Sequence, residues 1–223
     1  MPLRLSDENM FDILKCICEK KGGIINDPNL EAFIKNGISL PKFISLITNV
    51  SKIPHVLEKV HTNKQKKDNN TAALKFLQSI KKFKCWAENI NSNNYSSTIK
   101  QFFKGYYYSD ITLQVIMTQS KKLFKTIGIN LHKENEIYNG LYIIRLLHIL
   151  TDHEVQLIDE FNESTDFDQI LSPIFNKYHI PFIITSFDFD QHENTFLQYQ
   201  IIFDKYEEKI KSILENRNET DDD

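Results

Sequence analysis

Apolar residues recur at helical spacing along most of this chain. After Ser6-Asp7-Glu8 they fall at Met10, Ile13, Leu14 and Ile17, the i, i+3, i+4, i+7 positions of one helix face. Ser6 predicts an N-cap, and the first-turn acids suit the positive end of the helix dipole. Lys20-Lys21 followed by Gly22-Gly23 predict the stop. A loop through Asn26-Asp27-Pro28 leads to a short turn at 30–34. A second amphipathic helix follows, with Ser39 as its expected cap and Pro41 in its first turn, where a missing N–H costs little. The polar, basic run 61–70 predicts a loop. The stretch 71–80 predicts a helix with Ala72, Ala73, Phe76, Leu77 and Ile80 inward. Residues 83–86 then predict a buried extended link, 87–90 a short turn, and 95–104 a helix burying Ile99, Phe102 and Phe103.

The second half runs through the same order. Ser109-Asp110 can cap a long helix with Leu113, Ile116, Met117, Phe124 and Ile127 on one face, stopped by Gly128. An acidic stretch at 152–168 precedes a helix at 167–178, in which Pro173 must lie in the first turn or make a kink. His179-Ile180-Pro181-Phe182-Ile183-Ile184 stands where 83–86 stood. A last helix, 193–214, buries Phe196, Leu197, Ile201, Ile202, Tyr206 and Ile210 before a frayed acidic tail. The repetition is most direct in two stretches. I-K-N-G-I-S-L-P-K-F-I-S-L-I-T at 34–48 and I-Y-N-G-L-Y-I-I-R-L-L-H-I-L-T at 137–151 align at an offset of 103 positions. Each is an Asn-Gly turn signal followed by one apolar helix face. The fold class expected is therefore all-α, a tandem duplication without a sheet, with domains at 1–108 and 109–223.

Composition agrees with two real cores. Of 223 residues, 41% are hydrophobic, with 16 Phe and 9 Tyr but only six Gly and six Pro. The N-terminus M-P-L-R-L-S-D-E does not read as a secretory leader, and no apolar run approaches the ~20 residues of a bilayer span. Cys16, Cys18 and Cys85 are odd in number and lack ligand spacing, so reduced thiols of a cytoplasmic protein are expected. Charge changes the picture further. Residues 1–108 carry 17 Lys+Arg against 9 Asp+Glu, a charge of +8, and the remainder carries 10 against 21, a charge of −11, leaving −3 overall. A basic half joined to an acidic half predicts an acidic partner for the first half or contact between the two.

Catalytic signatures are missing. There is no Gly-rich phosphate loop of either common kind, so no enzyme and no cofactor is expected. His192-Glu193 lacks the second His of a zinc helix. Asp188-Phe189-Asp190 opens like a calcium loop but has Glu193 where Gly is needed and Tyr199 where a bidentate Glu belongs, so no metal is expected. Basic residues are not interleaved with aromatics in the manner of nucleic-acid binders. In Lys64-Gln65-Lys66-Lys67 a solvated loop is the better reading than a phosphoinositide contact.

The order of elements resembles a tandem pair of calponin-homology domains, the module of the α-actinin, spectrin, filamin and fimbrin group. The residues that carry the resemblance are Asn36-Gly37 to Thr48, Asn139-Gly140 to Thr151 and Asn70-Thr71-Ala72-Ala73-Leu74-Lys75-Phe76-Leu77. Cys85-Trp86-Ala87-Glu88-Asn89-Ile90 and Ile180-Pro181 through Ser186-Phe187-Asp188-Phe189 add to it. The chain departs from the family in its Asn-Gly pairs, in lacking the Trp of each first helix, and in a polar closing helix of the first domain. The resemblance implies a cytoskeletal actin-filament-binding module, with a surface drawn from 7–21, 95–104 and 110–126. Lys15, Lys20, Lys21, Lys100, Phe103, Lys104, Lys121, Lys122 and Lys125 are its candidate contacts. Each lysine is also what an ordinary solvated helix carries, and the +8 charge tilts the set towards binding. Tyr106, Tyr107 and Tyr108 are expected at the seam between domains, where closed or open packing would let the second domain modulate the first. The alternative implied is a parvin-like adaptor that binds a peptide helix or a signalling partner. Tubulin ranks below both.

Overall fold

Ser6 begins the first helix as expected. In α1 (Asp7–Lys20) the Ser6 hydroxyl accepts from the Asn9 N–H at 3.1 Å, and the Asn9 side chain reaches back to the Ser6 N–H at 3.4 Å. This reciprocal capping box satisfies two helix-end donors. Met10, Ile13, Leu14 and Ile17 are all buried. At the other end Gly22 takes φ +76°, and the Gly23 N–H bonds the Cys18 carbonyl at 2.9 Å, closing the last turn.

The computed structural model describes residues 4–83, 95–108, 110–131, 140–158, 167–184 and 192–218, and every regular element among them is helical. Outside the described residues lie most of the expected link and turn at 83–90, Ser109, Asn139, the acidic stretch beyond 158, the segment 186–190 and the acidic tail. The chain divides into two units, Arg4–Asp110 and Ile111–Asp223 with the N-terminal three residues. In the first, α1 packs with α2 (Leu30–Lys35), α3 (Ser39–Thr48) and α5 (Tyr95–Tyr108), and α3 packs on α4 (Asn63–Ser79). A short 3-10 turn, Lys81–Phe83, follows α4. Aromatic rings connect the core edge to face, from Phe11 to Phe33 (6.2 Å), Phe43 (6.1 Å) and Phe102 (5.5 Å).

Three expectations for this unit are corrected. Ser39 lies inside α3 and does not cap it. The N-cap position is Ile38, which offers no side-chain bond, and Asn36 just before it accepts from the Ile38 and Ser39 N–H groups at 2.7 and 2.8 Å in an Asx turn. The run 61–70 is not a loop, because α4 starts at Asn63 on a Thr62–Gln65 capping box. Within α4 the buried face is Asn69, Asn70, Ala73, Leu74 and Leu77, while Ala72, Phe76 and Ile80 are half-buried. The α4 onset follows from what it packs against. Gly37, at φ +71°, lies so close that an added Cβ would sit 2.4 Å from the Lys66 Cα. Only glycine fits there.

In the second unit, α6 (Leu113–Lys125) packs on α7 (Gly140–Leu150), α9 (His192–Lys205) and α10 (Glu207–Asn218). Thr112, not Ser109-Asp110, caps α6 through the Val115 N–H, while Leu113 and Ile127 are only half-buried. Gly128 stops it as expected, at φ +75°, with the Ile129 N–H on the Phe124 carbonyl. In α8 (Phe167–Lys177) Pro173 stands in the interior and outside the first turn. The last helix is two helices, parted at Tyr206, and Glu207-Glu208 open the second one favourably for its dipole. Phe196 is half-buried. The rest of α9 from Asn194 to Asp204 is buried on nearly every side, including Gln198 and Gln200.

The two repeat helices end alike. Thr48 and Thr151 each bond back to the carbonyl four residues earlier, at 2.6 and 2.8 Å. The next residues, Asn49 and Asp152, are left-handed at φ +54° and +52°. Val50 and His153 then bond Ser45 and His148 across the last turn at 3.0 and 2.8 Å. The sequence offset of 103 thus persists in backbone geometry, a Schellman-type stop in which Asn and Asp occupy the place usually given to Gly.

Candidate interaction surface

The candidate contacts lie on α1, α5 and α6. On α1, Lys20 and Lys21 are exposed at the C-terminal end, where the dipole favours cations. Lys15 is tied down. Its Nζ lies 3.4 Å from the Asp12 carboxylate and 4.3 Å above the Phe11 ring. On α5, Lys100 and Lys104 are half-buried one turn apart. Phe103 between them is a correction. It is 0% exposed, 5.8 Å from Phe102, and belongs to the core. On α6, Lys121, Lys122 and Lys125 are exposed on the side away from Ile116, Met117, Leu123 and Phe124.

Neither α5 nor α6 contains a single Asp or Glu. Lys100/Lys104 and Lys121/Lys125 are like-charge pairs at i, i+4, each costing a helix about 0.2–0.5 kcal/mol. Some surface lysines elsewhere are answered by acids. Lys35 pairs with Glu31 and Lys211 with Glu207, and in each case the carboxylate raises the lysine pKa, chiefly by hydrogen bonding. Such exposed pairs contribute little stability, and they place an acid within the lysine's own helix, which the sequences of α5 and α6 do not.

Tyr106 and Tyr107 are buried, edge to face at 4.9 Å, with Tyr106 also 5.8 Å from Phe102. They extend the aromatic series of the first unit. The Tyr108 side chain lies outside the described residues.

A second surface was not signalled by charge or periodicity. Asn69, fully buried, accepts from the Leu57 N–H at 2.8 Å and donates to the carbonyls of Leu57 (2.8 Å) and Gly37 (3.0 Å). Asn70 donates to the Ile34 carbonyl at 2.7 Å. Two neighbouring amides on α4 thus hold α2, the Gly37 turn and the 50–59 segment. That segment and α3 enclose a groove of about 600 Å³, lined by Pro41, Leu46, Val56 and Leu57 with Lys42 and Lys59. A T-x-x-Q capping box before two asparagines was the available signal for this arrangement. In the second unit Gln198 plays a similar part for the extended link. Its amide bonds the Ile183 N–H and the Pro181 carbonyl, both at 2.9 Å.

Cys18 is buried, and burial followed by the charge of Glu19 pushes its thiol pKa up, which disfavours the reactive thiolate. No helix among the described residues is long and apolar enough to cross a membrane. Comparison with protein-family models, with curated proteins and with solved structures finds no match to this chain.

Proposed function

We propose that the chain is a non-enzymatic actin-filament-binding module of the cytoplasmic cytoskeleton, built from two calponin-homology-like domains. The basic first domain leads and the acidic second domain modulates. The observation that carries this reading is the pair of lysine-only helices. α5 and α6 accept like-charge repulsion with no acid in either helix to relieve it, as expected where an external acidic surface supplies the counter-charge. Lys20 and Lys21 at the exposed end of α1 add to the same supply. Binding by such cations speeds encounter and is salt-sensitive. The lysines act as point charges on flexible stems, so the reading predicts broad electrostatic attachment with few rigid anchors.

Co-sedimentation of the full chain with actin filaments tests it. The protein should pellet at low salt, pellet less at about 0.15 M salt, and pellet less still when Lys100, Lys104, Lys121 and Lys125 are replaced by Glu. Failure to pellet at low salt, or pelleting indifferent to the fourfold substitution, would sink the filament reading.

A further inference from the structure

We infer that the groove between α3 and the 50–59 segment is a docking site for an acidic, amphipathic peptide segment of a partner protein. It involves none of α1, α5 or α6 and stands apart from the filament reading.

The groove has the size and lining for a ligand. Its 600 Å³ falls within the ~300–1,000 Å³ of typical binding clefts. Pro41 and Ile53 are buried in it, while Ile38, Leu46 and Val56 are half-buried, so an apolar floor remains open to water. Leu57 is 47% exposed at its margin, one of the few large apolar side chains so exposed among the described residues. A neighbouring hollow of about 400 Å³ shares Lys42 and Leu46 with it, and is lined on its far side by Ile24, 79% exposed. Asn26, Asp27 and Ser39 make that hollow partly polar, and the elongated groove fits an amphipathic helical segment better than a small compact ligand.

Charge selects the kind of segment. Lys42, Lys52 and Lys59 are exposed around the groove, against one acid, Glu58. No hydrogen bond or ion pair ties these three lysines to another described residue, whereas Lys15, Lys35, Lys177, Lys209 and Lys211 all have carboxylate partners. Apolar anchors set among carboxylates would satisfy the floor and the rim together. The wall is also held in place before any ligand arrives, because Asn69 fixes both backbone polar groups of Leu57. A pre-set wall lowers the ordering cost of binding.

The test is a selection of random 12-residue displayed peptides on the immobilised 223-residue chain, followed by anisotropy titration of the enriched sequences. Enriched peptides should carry net negative charge and apolar residues at i, i+3 or i+4. Their affinity should fall at least about tenfold, or 1.4 kcal/mol, with Lys42→Glu and with Leu57→Ser. Both side chains are exposed, and an unchanged circular dichroism spectrum verifies that the variants fold. A basic or neutral consensus, no enrichment at all, or undiminished binding by both variants overturns the proposal. So does a dimer of the native chain that Leu57→Ser dissociates, which would assign the groove to a second copy.

Discussion

Replacing Asn69 with alanine should destabilise the first unit by about 2–4 kcal/mol, although the residue is polar and outside the aromatic core. The magnitude follows from three hydrogen bonds. Two go to the N–H and carbonyl of Leu57, which is 47% exposed, so water can replace them in part and each loss costs about 0.5 kcal/mol, the low end for a hydrogen bond. The third goes to the carbonyl of Gly37, a buried residue, where an orphaned acceptor costs about 1–3 kcal/mol. Urea denaturation followed by far-ultraviolet circular dichroism reads the loss of that unit's helices. With an m-value of about 1.5 kcal/mol/M, the midpoint should fall by roughly 1.3–2.7 M. Asn69→Asp should cost more at neutral pH, because a carboxylate oxygen would then face the two carbonyls that the amide now satisfies. Amide exchange at Leu57 should accelerate in both variants. A midpoint for Asn69→Ala within about 0.3 M of wild type would refute the reasoning.

Three further outcomes are expected. Gly37→Ala should cost about 2–4 kcal/mol in the same denaturation assay, because φ +71° penalises any Cβ and the Lys66 backbone leaves no room for one; a loss below about 1 kcal/mol would mean the turn relaxes freely. Gln198→Ala should cost about 2–3 kcal/mol and speed amide exchange at Ile183, since two buried backbone groups lose their partner; unchanged exchange would contradict that role. Glu154 accepts from the Tyr178 hydroxyl at 2.8 Å and pairs with Lys177 at 3.0 Å, and these hold its carboxyl below the ordinary range, the tyrosine bond first. A depressed carboxyl contributes stability that is present above its unfolded value and is lost as pH falls through the folded one. The small melting-temperature gap between wild type and Glu154→Gln should therefore close on acidification below about pH 4, and a gap that widened there would reverse the assignment.

The helix ends were the most legible part of the sequence. Ser6, Gly22 and Gly128 act where they were expected, because caps and stops depend on neighbours within a few residues. The shared ending of the repeat helices was legible too, since Thr48 and Thr151 meet carbonyls only four residues away. Ser39 failed as a cap for a local reason. Asn36, three residues earlier, offers a longer arm that reaches two N–H groups at once. The charge contrast and the lysine-only helices were readable from composition, but the fate of Phe103 was not, because its position next to Lys104 in sequence says nothing of burial.

What the sequence by itself determined is the all-helical class and several of the helix ends. Apolar spacing and capping residues are local codes. Tertiary structure alone decided what the polar residues do. Asn69, Asn70 and Gln198 read as surface amides until packing removes water from them, after which each must find a backbone partner or lose stability. Those partners lie 12 to 36 positions away along the chain. The same long-range bonds set the wall of the groove beside α3, so that surface could only appear once the fold had brought Leu57 to Asn69.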